Sequence, residues 1–295
     1  MNIKRNTKIR KSKKTRVIYI IVFILFMIYA AYILYPLFFA LNASFKASGR
    51  VFINDSLSFS FNPFKDIFPK FSNYLTALME LEHNDNSYLM MVINSIWYAG
   101  LGTLLGTLSS AMAAYVVCKY KFIGRNFLYT LVIFIMIIPI YGALPARYKL
   151  FYDLGFIDSP TILLSMLGGF DFAFLIIYSY FKNVSWNYAE AAFIDGAGHG
   201  KVFFNIMLPM ALPAITVMVI TNFISLWNNY ENPILFLPNL PTLASGLWAY
   251  EEKIKFAANQ PVYFAGVIIS LIPVLTFGLF QNTIMQSVYA GGLKG

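Results

Sequence analysis

Six long apolar runs dominate the chain, at 17–41, 89–118, 126–146, 160–181, 208–230 and 262–286, with shorter polar segments between them. A helix needs about 20 mostly apolar residues to cross a bilayer. Each run therefore predicts one span, and together they predict an all-α integral membrane protein with six transmembrane helices. Only the fourth run carries a charge near its middle, Asp171. The first is uncharged from Val17 to Leu41. That is longer than a signal-peptide core of about 7–15 residues, so it predicts a retained helix. In the second, Gly102, Gly106, Ser110, Ala114 and Cys118 recur every four residues. This spacing puts small residues on one helix face, where a neighbour can approach closely. Pro36, Pro139, Pro145, Pro213 and Pro273 lie in or beside runs and predict bends.

Composition supports the bilayer assignment. The chain is 59% hydrophobic and 12% charged, whereas soluble domains carry about 25% charged residues; its mean hydropathy is +0.64. No stretch is long enough for a separate soluble catalytic domain. The single cysteine, Cys118, forms no internal disulfide, and with only His83 and His199 there is no His/Cys cluster at metal-ligand spacing. The pI of 9.4 does not point to nucleic acid, because the basic residues crowd at the ends of the apolar runs.

Those basic residues orient the chain. Residues 1–16 hold eight Lys or Arg, and Lys119, Lys121, Arg125, Lys182, Lys201 and Lys294 fall on the same side. Of the 22 basic residues, 14 lie there with two acids, and the other eight share the opposite loops with ten acids. This predicts a multi-pass cell-membrane protein with both termini cytoplasmic. It divides into a basic N-arm (1–16), a first span (17–41), an extracellular loop (42–88), a five-helix core (89–286) containing a cytoplasmic loop (183–208), and a tail (287–295). The outer segments 42–88 and 231–260 are long enough to hold a partner. In the second, Trp248 and Tyr250 followed by Glu251, Glu252 and Lys253 suit either contact with an external protein or an interfacial anchor.

The loop between the fourth and fifth runs reads EAAFIDGAGHGKVFFNIMLP, from Glu190 to Pro209. It is not a phosphate loop: Asp195 stands where the Walker pattern needs its first glycine, Val202 where it needs Ser or Thr, and no strand precedes it. The pattern predicts two short helices around a glycine turn. Asn187 is placed to cap the first, with Glu190 in the capping-box position, and Gly196, Gly198 and Gly200 break it. Phe193, Ile194, Phe203 and Phe204 are large apolar groups that need cover. Asp195 lies near the first helix's C-terminus, where negative charge costs about 0.3–1 kcal/mol.

Glu190-Ala191-Ala192, Asp195-Gly196-Ala197, Phe203, Ile206 and Leu208-Pro209 resemble the EAA signature of importer-type ABC transporter permeases. The C-terminal Ala290-Gly291-Gly292-Leu293-Lys294-Gly295 is similar to the ending of the second permease in carbohydrate-uptake systems of the maltose-permease type. The resemblance implies a type I permease fold, a second homologous permease subunit, a pair of cytoplasmic ATPase subunits and an extracellular sugar-binding protein. ATP and Mg would be held by those ATPases, with no cofactor on this chain and no enzyme activity in it. It further implies that the loop is a coupling helix. Glu190, Ala191, Ala192, Asp195, Gly196 and Ala197 would then form the ATPase docking surface, with Phe203, Leu208 and Pro209 completing the motif and fixing the turn back into the membrane.

Polar groups inside a bilayer mark transport pathways. Asn94, Asp171, Asn222, Trp227, Asn228 and Asn229 are therefore candidate sugar contacts, although each could equally make an interhelical hydrogen bond. The predicted function is an alternating-access permease subunit of an ATP-driven oligosaccharide importer. Competing readings are the same machine with a non-sugar cargo such as peptides, phosphate esters or polyamines, an ion-driven secondary carrier, and a membrane enzyme or scaffold. A carrier would be expected to show inverted repeats and paired broken helices, and the sequence displays neither.

Overall fold

The computed structural model describes residues 13–47, 69–138, 142–254, 259–271, 273 and 275. The first twelve residues of the expected N-arm, the tail 287–295 and most of the second half of the sixth run lie outside them.

The first two runs become the two longest described helices, α1 (Lys13–Ser44) and, after a short α2 (Ser72–Glu80), α3 (Tyr88–Lys119). Ser87 starts α3 by accepting a hydrogen bond from the Met90 N–H at 3.4 Å. Among the described residues these two helices are long and apolar enough to cross a membrane, and a third span is formed if the bent pair His199–Met210 and Leu212–Trp227 counts as one.

The third, fourth and fifth runs are interrupted. The third gives α4 (Arg125–Ile137) and then α5 (Leu144–Asp153), with residues 139–141 outside the description. The fourth is a 3-10 turn (Pro160–Met166) followed by α6 (Phe172–Asn183). The break is stabilised by local chemistry. Gly169 takes φ +70°, a conformation that costs glycine little, and Asp171 caps α6 by accepting from the Phe174 N–H at 3.0 Å. Asp171 is thus a helix N-cap beside a break, which corrects its expected position within a continuous helix. After the loop come α7 (Asn187–Ile194), α8 (His199–Met210), α9 (Leu212–Trp227), α10 (Glu231–Phe236), α11 (Leu243–Ile254) and α12 (Gln260–Ser270).

α3 is the hub, packed on α6, α9, α11 and the 3-10 turn. The small-residue stripe accounts for this. A Cβ at Gly102 would lie 2.4 Å from Met166 Sδ and 3.1 Å from Leu226 Cδ1, and Gly106 faces the Met166 carbonyl. We expect Gly102→Val to destabilise the fold by about 1–3 kcal/mol through overpacking. Gly100→Val, with no atom within 4 Å of its Cβ position, should melt within a few degrees of wild type; thermal melts in detergent compare the two.

At the end of the bundle where α3 begins, two loops converge on 236–241. Asn84 and Asn86, from a two-stranded hairpin (Glu82–His83 with Asn86–Ser87), donate to Pro238 O at 2.8 Å and Asn239 O at 3.2 Å. Asp158 accepts from Asn239 N and Nδ2 at 2.8 and 2.9 Å. Burial, and then the charge of Lys253, hold the His83 imidazole below its usual range.

Candidate coupling loop and polar path

At the opposite end, α7 and α8 fold back against the end of α3. The Asn187 N–H bonds Ser185 Oγ at 3.3 Å, so α7 begins at Asn187 itself. The expected Asn187–Glu190 capping box does not form, and Glu190 is left exposed. The C-terminus of α7 is closed by Gly196 at φ +80°. The Ala197 N–H reaches Ala192 O at 2.9 Å and the Gly196 N–H reaches Phe193 O at 3.0 Å, the paired bonds of a Schellman turn.

The turn sorts the motif residues. Ala189 is buried, while Ala192, Phe193 and Ala197 are half-buried against the core. Glu190, Ala191, Ile194, Asp195 and Gly196 face outward, with Ile194 86% exposed. Phe203 is buried, with its ring 5.0 Å from that of Tyr115. It packs inside the core cluster that carries the loop. Leu208 is half-buried and Pro209 exposed in a bent segment. Phe203–Met207 form a π-helical turn, and α8 meets α9 at 79°. Pro209 and Pro213 remove two backbone donors there, a sufficient cause for so sharp a bend.

What holds α7 and α8 to the hub was not anticipated from sequence. Tyr120, Trp186, Phe193 and His199 form a closed ring of aromatic contacts with centroid separations of 4.9–6.0 Å. Tyr120 Oη and His199 Nδ1 lie 2.7 Å apart in a hydrogen bond. Lys119 Nζ donates to Val184 O, tying the end of α3 to the C-cap of α6. Aromatics make up 18% of the chain, so nothing in the sequence singled out these rings.

The six polar candidates do not converge on a single site. Asn94 is buried, donating to Pro241 O at 3.0 Å and accepting from Trp97 Nε1 at 3.2 Å. Its amide makes one bond as donor and one as acceptor, both to neighbouring structural groups. Trp227 is buried, with its N–H on Ser270 O at 3.4 Å; Asn228 Nδ2 donates to Ile224 O, and Asn229 Oδ1 accepts from the Asn232 N–H. Two candidates do meet the hub one turn apart. Asn222 Nδ2 donates to Thr107 Oγ1 at 3.1 Å, and Asp171 Oδ1 lies 2.9 Å from Ser110 Oγ. Asp171 remains exposed on the isolated chain.

Residues 102–288 match the family model described as "Binding-protein-dependent transport system inner membrane component". The chain belongs to this family. The permease is 29% identical over 264 residues to the diacetylchitobiose uptake system permease protein NgcG of Streptomyces coelicolor, covering 88% of this chain and 83% of that one. It is 28% identical over 266 residues to the galactooligosaccharides transport system permease protein GanQ of Bacillus subtilis, covering 88% and 90%. It is 28% identical over 236 residues to the arabinooligosaccharides transport system permease protein AraQ of the same organism, covering 78% and 82%. Its fold matches a chain in the crystal structure of a bacterial ABC transporter involved in the import of the acidic polysaccharide alginate, with a TM-score of 0.72 at 23% identity over 92% of this chain and 98% of that chain. The fold is that of an ABC importer permease, and such permeases are not the ATP-hydrolysing subunits.

Proposed function

We propose that this permease is one of two membrane subunits of an oligosaccharide importer and that α7 is its ATPase docking element. Three relatives named for oligosaccharide transport support the cargo class. The docking reading is carried by one observation: the outward face of α7 ends in a bare Ile194 between Glu190 and Asp195, on an element locked to the hub helix by the aromatic ring. An exposed apolar tip rimmed by acids suits a groove in a partner protein.

In this reading six spans cross the membrane and both termini are cytoplasmic. ATP and Mg bind the partner ATPases, whose closure carries α7 and α8 with it. The 79° bend between α8 and α9 turns that displacement into a tilt of the spans. A loaded binding protein is engaged on the opposite side, and each partner biases one of two arrangements. Asp171 and Asn222, bonded to hub residues one turn apart, line the sugar's path. Asp171→Ala is expected to raise the uptake KM several-fold, read as initial rates of labelled sugar uptake.

The deciding experiment reconstitutes this chain with its partner permease, ATPase and binding protein in liposomes loaded with ATP. Labelled maltooligosaccharides, arabinooligosaccharides and galactooligosaccharides are offered outside, with a dipeptide and a polyamine as controls. Uptake of a neutral oligosaccharide that stops when ATP is replaced by ADP supports the reading. Uptake that persists with ADP identifies a secondary carrier, and uptake of the dipeptide or polyamine alone changes the cargo. His199→Ala should then lower the number of sugars moved per ATP, while the lost hydrogen bond costs only about 1 kcal/mol of stability.

A further inference from the structure

The end of the bundle opposite the coupling loop contains a pocket of about 240 Å³ between the last turn of α9, α11 and α12. Its walls include Trp227, Tyr230, Trp248 and Tyr263, with Asn228 and Glu251 among them. Trp227 is a fixed wall, buried, stacked on Phe223 at 5.8 Å and held by Ser270 O. Tyr230 and Trp248 lie nearly parallel, 12° apart at 5.8 Å, and both are more than a third exposed. Tyr263 Oη donates to Glu251 Oε2 at 3.0 Å and so positions the carboxylate. Asn228 Nδ2 is taken by Ile224 O at 2.8 Å, which leaves its Oδ1 available as an acceptor.

A pyranose ring has two flat C–H faces and a rim of hydroxyl donors. It needs planar apolar walls with a few fixed acceptors, which are the groups assembled here. We infer that this pocket binds a single neutral saccharide ring, separately from the Asp171–Asn222 layer, and that Glu251 excludes uronates. A hydroxyl bonded to a carboxylate is among the stronger hydrogen bonds. A sugar carboxylate in the same place would meet a like charge at hydrogen-bond distance, which is disfavoured. The volume admits one ring, and the exposed rims of Tyr230 and Trp248 let the rest of an oligosaccharide extend outward.

This inference rests on the importer reading, with 228–259 on the outer face. The test uses the assembled transporter in nanodiscs and saturation-transfer NMR titrations with maltose, cellobiose, N,N′-diacetylchitobiose and digalacturonate. At least one neutral disaccharide should give saturable transfer, weakened tenfold or more by Trp248→Ala and largely restored by Trp248→Phe. Glu251→Gln should weaken that sugar and allow digalacturonate, silent in the wild type, to bind, a gain that misfolding cannot mimic. No saturable neutral sugar, no effect of Trp248→Ala, or digalacturonate binding equally well to the wild type would overturn the inference. ATP-driven uptake by the same preparation separates the two readings: uptake without a pocket signal removes the pocket alone, and no sugar uptake at all removes the importer reading.

Discussion

Gly196→Val is expected to abolish coupled sugar uptake while the membrane core still assembles. Gly196 sits at φ +80°, where an L-residue costs roughly 1–2 kcal/mol and a β-branched one more. The two bonds that close α7, from Ala197 to Ala192 and from Gly196 to Phe193, depend on that conformation. Without them the last turn of α7 frays, and Ile194 and Asp195 lose their fixed orientation. A docking surface displaced by an ångström or two loses most of its complementarity, so uptake should fall at least tenfold, about 1.4 kcal/mol. Gly198 is the control: its φ is −75° and nothing lies within 4 Å of its Cβ position. Gly198→Ala should retain near-normal uptake. Both variants should keep the detergent melting temperature of the core within a few degrees, and equal losses of uptake in the two would sink the assignment.

The contrast between these glycines shows where sequence reasoning stops. Gly196, Gly198 and Gly200 all read as helix breakers, yet only Gly196 has a positive φ, and Gly200 lies inside α8. The motif itself was legible because it is a run of neighbouring residues. So were the first two spans: runs at 17–41 and 89–118 fall inside helices bounded at 13–44 and 88–119. Hydropathy could not reveal that the fourth run breaks, since it sums apolarity and ignores that Asp171 turns its carboxylate onto the next turn's N–H. The capping box failed for a similar reason: Ser185 competes for the same N–H and is closer to the turn that precedes α7.

The candidate path was the least legible part, because a polar residue in an apolar run shows its type and hides its partner. Asn94 and Asn222 are chemically equal in sequence. One donates to and accepts from groups at the end of the bundle, and the other bridges to Thr107 beside an exposed aspartate. In lipid, polar groups are satisfied internally unless they line an aqueous route. The partner of each group distinguishes a bond at the bundle's end from one on the hub, and only the three-dimensional arrangement supplies it.

Ile194→Asp and Phe203→Ala should produce opposite phenotypes, although both replace a large apolar side chain of one loop. Ile194 is 86% exposed and Phe203 is 5% exposed. Truncating buried Phe203 removes its contacts with Tyr115 and Phe204 and leaves a cavity costing about 3–5 kcal/mol, so the melting temperature should drop sharply. Whatever fraction folds still presents Glu190, Ile194 and Asp195 and should still retain the ATPase. Ile194 has almost nothing to lose within the chain, and Ile194→Asp should melt like wild type. If Ile194 fills a partner groove, its burial is worth about 1.5–3 kcal/mol, and a third acid beside Glu190 and Asp195 adds an unpaired charge. ATPase retention on an affinity-tagged permease should then weaken about a hundredfold, with uptake lost in proportion. Normal retention by Ile194→Asp would exclude the tip of α7 as the docking site, because a side chain 86% exposed has little else to lose.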